Sequence, residues 1–260
     1  MSKETLDICL HITGSYENGE PAYDGLTGNF DGQGMSVGVL QWCAGQGSLG
    51  NLIAKMVEMS SVEFVDACFD TSVTQMIGMS GSQQKQFVLD NFLPDGMKLS
   101  QEAISQWQTL LNTEVSINAQ VDLASSGVLA KAMRYAAQFV PDGDQNIRVI
   151  AFFFDVVTQS GSMKNGRGSV VPVEGGSPVS DLSVSQAVSL ANTKSKKTAS
   201  LWAMIAKNDP LAHLLLHYAY QRAMLSKPEY VWDALSRRGA IACRTGVVHG
   251  KLFDFNSVLP

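Results

Sequence analysis

No stretch of this sequence approaches the run of about 18 apolar residues that a membrane-spanning helix needs. The N-terminal MSKETLDICLHITG is too short and interrupted in its apolar run to act as a signal peptide. The expectation is therefore no membrane span and no export address in the chain itself. Cysteine is sparse: Cys9, Cys43, Cys68 and Cys243 are widely spaced and form no C-x-x-C. Neither a zinc site nor a disulfide framework is signalled, and most of the thiols are expected to be free. Histidine is equally scarce, with His11, His213, His217 and His249. The pair at 213 and 217 lacks the intervening glutamate of a zinc-protease helix. No metal and no cofactor is expected. Basic residues are outnumbered, 19 Lys+Arg against 24 Asp+Glu, for a net charge of -5. That balance argues against a general nucleic-acid binder, which needs a basic surface to neutralise phosphates. No G-x-S-x-G elbow is present, so Ser/His/Asp nucleophile chemistry has no support.

What the chain does have is apolar content, 45% over 260 residues, enough for one large domain or two closely packed lobes. The pattern is helical almost throughout. Leu6, Cys9, Leu10 and Thr13 share one side of a first helix over 3–14, with Gly14 as its stop, which leaves Glu17 just past the helix end. From Asn18 to Gly34 the chain is rich in Gly, Pro, Asn and Asp and reads as loop, and MSVGVLQW then alternates as a short strand. The small β element is expected to be confined there, near 27–43. Leu49, Leu52, Ile53, Met56 and Val57 repeat at helical spacing, and Ser100 caps a helix carrying Ile104, Trp107, Leu110 and Leu111. One long helix is expected over 117–140, ended by Pro141. The helix over 145–160 is apolar on every side and is the central buried one. Gly161 to Asp181 is a Gly/Pro/Ser loop that either covers a cleft or joins two lobes. Helices near 183–207, 210–225 and 228–238 follow, before an irregular or partly extended C-terminus.

Three constellations carry chemistry. Asp155 is the one charge on the buried helix, and a lone ionised carboxylate there is costly unless paired. Arg222, Arg237 or Arg238 is its expected partner, with Arg222 alternatively reaching solvent over its own stem. Gly45 to Gly50, GQGSLG, matches the dinucleotide fingerprint, with Asp66 downstream, but a nucleotide fold needs alternating strands that the rest of the chain does not supply. The third is the isolated carboxylate pair Glu17 and Asp31, in a Gly-rich region that makes little sense as scaffold. Inverting glycoside hydrolysis needs one protonated acid and one ionised base holding water, roughly 6.5–9.5 Å apart. Partial desolvation beside Tyr16 suits Glu17 to the acid role, and backbone donors around Asp31 suit it to the base. The plain alternative is that both are turn carboxylates.

The order Glu17-Asn18, Tyr23, Asp31-Gly32-Gln33-Gly34, Ser36, Gly38 and Gly45-Gln46-Gly47 resembles the chitosanases of the lysozyme-like superfamily. The resemblance implies a mainly α (α+β), two-lobed helical fold over 1–260 with a small β-hairpin or sheet. It makes Glu17 the general acid, Asp31 the general base, and Ser36 a hydroxyl that positions water in place of the family's usual threonine. FFFDVVTQSG resembles that family's central helix, whose aspartate pairs with two arginines, here Arg222 and Arg237. Where the family's substrate-binding acids would fall, this chain has Thr27, Gly28 and Ser48. A neutral N-acetylated glycan suits such a cleft better than polycationic chitosan. Gln41 resembles the glutamine of goose-type lysozymes and lytic transglycosylases, and TGSYE, GNFDGQG, LQW and GQGSL together resemble the muramidase domains of type VI secretion effectors and some phage lysins.

The expected activity is thus a muramidase-like, inverting glycoside hydrolase of peptidoglycan. Tyr23, Asn29, Gln41 and Trp42 are candidate sugar contacts, and Glu20 and Asp24 are fallbacks for the second carboxylate. A cognate immunity protein is the expected partner if the chain is an effector. Delivery would be by a secretion apparatus, a holin or a larger polypeptide, with action at the wall of a target bacterium. A chitosanase and an inactive glycan-binding phage or effector module are the alternatives.

Overall fold

The computed structural model describes residues 3–18, 23–173 and 179–259, the side chains of Glu17 and Asn18 excepted. By its internal contacts the chain divides into two compact units, residues 1–17 with 128–260, and residues 18–127. Both are mainly helical with small antiparallel sheets.

Helix α1 spans Lys3–Asn18, running through Gly14 where the sequence predicts a stop. A mid-helix glycine costs only about 1 kcal/mol relative to alanine. Burial of Ile12, Thr13, Ser15 and Tyr16 around it outweighs that. Glu17 therefore lies in the last turn of the helix, not beyond it.

The unit of residues 18–127 begins with a three-stranded sheet of β1 (Leu26–Thr27), β2 (Ser36–Val37) and β3 (Trp42–Cys43). β1 pairs with β2 in the register Leu26↔Val37, and β2 with β3 in the register Ser36↔Cys43. The single strand expected over MSVGVLQW is in fact two, because Gly38 (φ 75°) and Gln41 (φ 54°) turn the chain between them. Helices α2 (Ser48–Met59), α3 (Val62–Asp66), α4 (Gly81–Phe92), α5 (Gln101–Leu111) and α6 (Glu114–Leu123) follow. Ser100 caps α5 as predicted, accepting from the Ala103 N–H at 3.0 Å. Leu49, Leu52, Ile53 and Met56 of α2 pack with Met35, Val37, Phe92, Trp107 and Leu110 in one core. Asp66, the acid that completes the fingerprint on paper, accepts from the Ser72 and Thr74 hydroxyls at 2.7 and 2.8 Å and from the Thr74 N–H at 3.0 Å, and so holds a turn.

The helix expected over 117–140 is interrupted. A π-helical turn at Ala124–Leu129 separates α6 from α7 (Ala130–Phe139), and the division between the units falls inside that turn. The second unit is organised around α8 (Ile147–Ser160), in which every residue from Arg148 to Val157 is buried. Asn146 starts it by accepting from the N–H groups of Arg148 and Val149. The 161–181 segment holds a short hairpin of β4 (Lys164–Asn165) and β5 (Gly168–Ser169), and residues 174–178 lie outside the described part. It lies within one unit, so it does not join two.

The expected helix over 183–207 is two, α9 (Asp181–Lys194) and α10 (Lys196–Asn208). Extended Ser195 (φ −154°) ends the first and caps the second. Then come α11 (Pro210–Met224) and α12 (Val231–Ala242), and the chain closes with the hairpin of β6 (Thr245–Val248) and β7 (Lys251–Asp254). The β structure is therefore not confined to the early region. The four cysteines are free, and burial pushes the Cys9 thiol up to about 12.

Candidate active site

Asp31 stands in the connection from β1 to β2, and three contacts fix that connection. The Asn29 amide donates to the Gly96 carbonyl at 2.9 Å, its side-chain oxygen accepts from the Gly34 N–H at 2.7 Å, and its own N–H donates to the Met97 carbonyl at 2.9 Å. Asn29, expected as a sugar contact, thus spends both ends of its amide on the scaffold. Gly28 is glycine for a steric reason: a Cβ there would lie 2.4 Å from the Met97 carbonyl oxygen. Asp31 is exposed, its Oδ1 accepts from the Gln33 N–H at 3.0 Å, and Gly32 (φ 77°) and Gly34 (φ 87°) complete the turn. The other carboxylate oxygen has no hydrogen bond among the described residues. The arrangement presents a hydrogen-bond acceptor to solvent on a fixed loop. Phe30, one residue earlier, is 75% exposed. Sequence reasoning passed over it, although an aromatic inside a Gly/Asn/Asp turn was the available signal.

Asn29→Ala removes the acceptor of the buried Gly34 N–H, and a buried donor left unsatisfied costs about 1–3 kcal/mol. A melt should show lower stability, and an unchanged melting temperature would show that the loop does not depend on Asn29.

Ser36, Gln41 and Trp42 gather on the same small sheet. Ser36 pairs across the sheet with Thr27 and Cys43, and its hydroxyl has no hydrogen bond among the described residues. Gln41 accepts from the Thr27 hydroxyl and donates to the Gly38 carbonyl at 3.0 Å, so its amide holds the β2–β3 turn. Trp42 is half-buried and packs against the core of its unit. Ser48 accepts from the Cys43 N–H at 2.7 Å and donates to the Cys43 carbonyl at 3.2 Å.

Tyr23 is held by Gln120, which sequence reasoning missed. Fully buried on α6, Gln120 donates to the Tyr23 carbonyl at 2.9 Å and accepts from the Val39 N–H at 3.0 Å. Its signal was a polar residue at a core position of a helix. Asp24, a fallback carboxylate, is half-buried in the turn before β1, and Glu20 lies outside the described residues.

GQGSLG serves packing. A Cβ on Gly45 would lie 2.6 Å from the Gln33 carbonyl oxygen, and the Gly45 N–H donates to that carbonyl at 2.8 Å, bracing the base of the Asp31 loop. Buried Gln84 accepts from the Gly50 N–H and donates to the Gly47 and Met79 carbonyls.

In the other unit, Glu17 follows Tyr16 in the last turn of α1. Tyr16 is buried, its hydroxyl donates to the Arg237 carbonyl at 3.0 Å, and the Arg237 guanidinium lies 4.9 Å from its ring centre. Burial first, and the neighbouring Asp155 charge second, hold the phenol well above its usual range, despite the opposing pull of Arg237. Asp155 Oδ1 accepts from Arg237 Nε and Nη2 at 3.0 and 2.8 Å, and its Oδ2 lies 3.5 Å from Arg238 Nε. Burial lowers the Arg238 guanidinium to about 10.

The clamp is present, but with a different second arginine from the one the resemblance names. Arg222 is buried and donates to the Ser162 and Ser160 carbonyls at 2.7 and 3.4 Å instead, so it neither pairs with Asp155 nor reaches solvent. Among the described residues no cluster of His, Cys, Asp and Glu is placed to hold a metal ion, and no helix is long and apolar enough to cross a membrane.

No protein-family model matches the chain, and no curated protein sequence does. Solved structures do. The GH46 chitosanase of Gynuella sunshinyii, in complex with chitotetraose, superposes with a TM-score of 0.58 at 14% identity, covering 97% of this chain and 98% of that one. A mutant chitosanase from Bacillus subtilis MY002, complexed with 6 GlcN, gives a TM-score of 0.52 at 13% identity, covering 93% of this chain and 88% of its own. The native form of that enzyme gives 0.52 at 14%. The chain therefore has the lysozyme-like fold of the chitosanases along nearly its whole length.

Proposed function

We propose that this protein is a glycoside hydrolase that cleaves the glycan strands of peptidoglycan, with Glu17 as general acid and Asp31 as general base. The observation that carries the reading is the exposed Asp31 carboxylate, fixed by Asn29 on a loop of a chitosanase fold, with one oxygen left for water. In the reaction Glu17 gives its proton to the glycosidic oxygen as the C1–O bond breaks. Asp31 takes a proton from the water that attacks C1 from the opposite face. Ser36, whose hydroxyl is not otherwise engaged among the described residues, helps to position that water.

Preference for an N-acetylated glycan rests on charge. Thr27, Gly28 and Ser48 stand where the resemblance puts the acids of chitosan hydrolases, and the two hydroxyls are committed to Gln41 and Cys43. The site of action on this reading is the wall of a target bacterium. Delivery is by a secretion apparatus, a holin or a larger polypeptide, and a cognate immunity protein is the partner expected of an effector. A second reading, a chitosanase, is favoured by the named substrates of the similar structures.

Incubation with purified sacculi and with chitosan separates them. The expected result is soluble muropeptides from sacculi, little product from chitosan, and proton NMR of fresh digests showing inverted anomers first, as single displacement by water requires. Glucosamine oligomers alone would establish the second reading, and product from neither would leave a glycan-binding module. Retained configuration would remove Asp31 from the base role, and 1,6-anhydro ends would mean a lytic transglycosylase.

A further inference from the structure

Tyr16 is gripped from two directions by a closed circuit of polar contacts within one unit. Its carbonyl, one of the last four of α1 and so without an intrahelical donor, faces His249 Nδ1 at 3.1 Å. His249 Nε2 lies 2.5 Å from Asp233 Oδ1. The other Asp233 oxygen accepts from the Gln159 amide, and Gln159 Oε1 accepts from Arg238 Nη2 at 2.7 Å. Arg238 faces Asp155, Asp155 holds Arg237, and Arg237 lies over the ring of Tyr16 and accepts its hydroxyl. The path returns to the residue it left.

Two features single out His249 in this circuit. A carbonyl can only accept, so Nδ1 donates to Tyr16, and the Asp233 carboxylate stands at the other ring nitrogen. α1 has no basic side chain in its own last turn, and a donor of this kind at a helix C-terminus also complements the helix dipole. The backbone points the same way. His249 and Gly250 form the two-residue turn between β6 and β7, with φ of 49° and 79°. Asparagine suits such a left-handed position better than histidine, so a turn with no other task would not call for the imidazole.

We propose that His249, backed by Asp233, is a positioning residue: it holds the Tyr16 carbonyl and thereby sets the last turn of α1, which carries Glu17. The proposal rests on the acid role given to Glu17 above. His249→Asn tests it, because the new side chain favours the turn but cannot span both acceptors. The melting temperature should stay level or rise, while kcat on sacculi falls about tenfold to a hundredfold and KM stays within about twofold. Amide hydrogen exchange in the last turn of α1 should quicken. Asp233→Asn should reproduce the loss, and the double variant should be no worse than either single.

Unchanged kcat, a rise in KM alone, or a melting temperature that falls in step with kcat would overturn the proposal. Should the wild-type protein cleave neither glycan, the functional reading fails by itself and exchange decides the rest. Faster exchange in His249→Asn would uphold the hold on α1, and unaltered exchange would refute it.

Discussion

Replacing Asp155 by asparagine should lower the melting temperature of the protein by about 10 °C. The substitution changes almost no volume, so packing is not the cause. Asp155 is fully buried on α8, with Arg237 donating to it twice and Arg238 at 3.5 Å. A buried ion pair contributes little net stability compared with well-packed apolar residues, but removing one partner leaves the other's charge uncompensated, at a cost of about 3–5 kcal/mol. Here two arginines, both nearly inaccessible to solvent, would lose the carboxylate they share. The asparagine amide would also turn a donor toward donors. Thermal unfolding followed by circular dichroism measures the effect, and an unchanged melting temperature would show that the guanidinium groups are satisfied by other means. Because Arg237 also packs on Tyr16, a loosened end of α1 and lower turnover should accompany the loss.

That Asp155 needs an arginine could be read from the sequence, since a charge on a helix apolar on every side has to be neutralised. Which arginine could not. Arg237 and Arg238 are adjacent, and adjacent helical positions point about 100° apart, so a linear pattern does not predict that both reach one carboxylate. Arg222 has the same apolar surroundings and instead serves the carbonyls of Ser160, the last residue of α8, and of Ser162 just beyond it. The core helices were legible because periodicity reports burial directly. The end of α1 was not, because tertiary burial carried the helix through Gly14, where local propensity predicts a stop.

The early turn-and-sheet region was legible from its glycines and its short strand pattern, and the tasks of its side chains were not. Asn29 and Gln41 are candidate sugar contacts by sequence, yet both spend their side chains holding turns. The residues doing the holding from afar, Gln120 and Gln84, are remote in sequence from what they hold, and only the folded chain reveals the connection.

Glu17→Gln should abolish hydrolysis, with a loss of about a thousandfold or more in kcat and a melting temperature within a degree or two of the parent. The glutamine has the shape of the acid and lacks the transferable proton, so ground-state binding of the glycan should persist. The backbone of Glu17 stands in the last turn of α1. The buried Tyr16 before it, fixed through its hydroxyl and carbonyl, gives the position a rigid base. The assay is product release from purified sacculi, read beside a binding measurement on the same material. Loss of turnover with binding intact is the expected result. Substantial remaining turnover would remove Glu17 from the acid role, whereas loss of binding together with turnover would mean that Glu17 holds the glycan and another group supplies the proton.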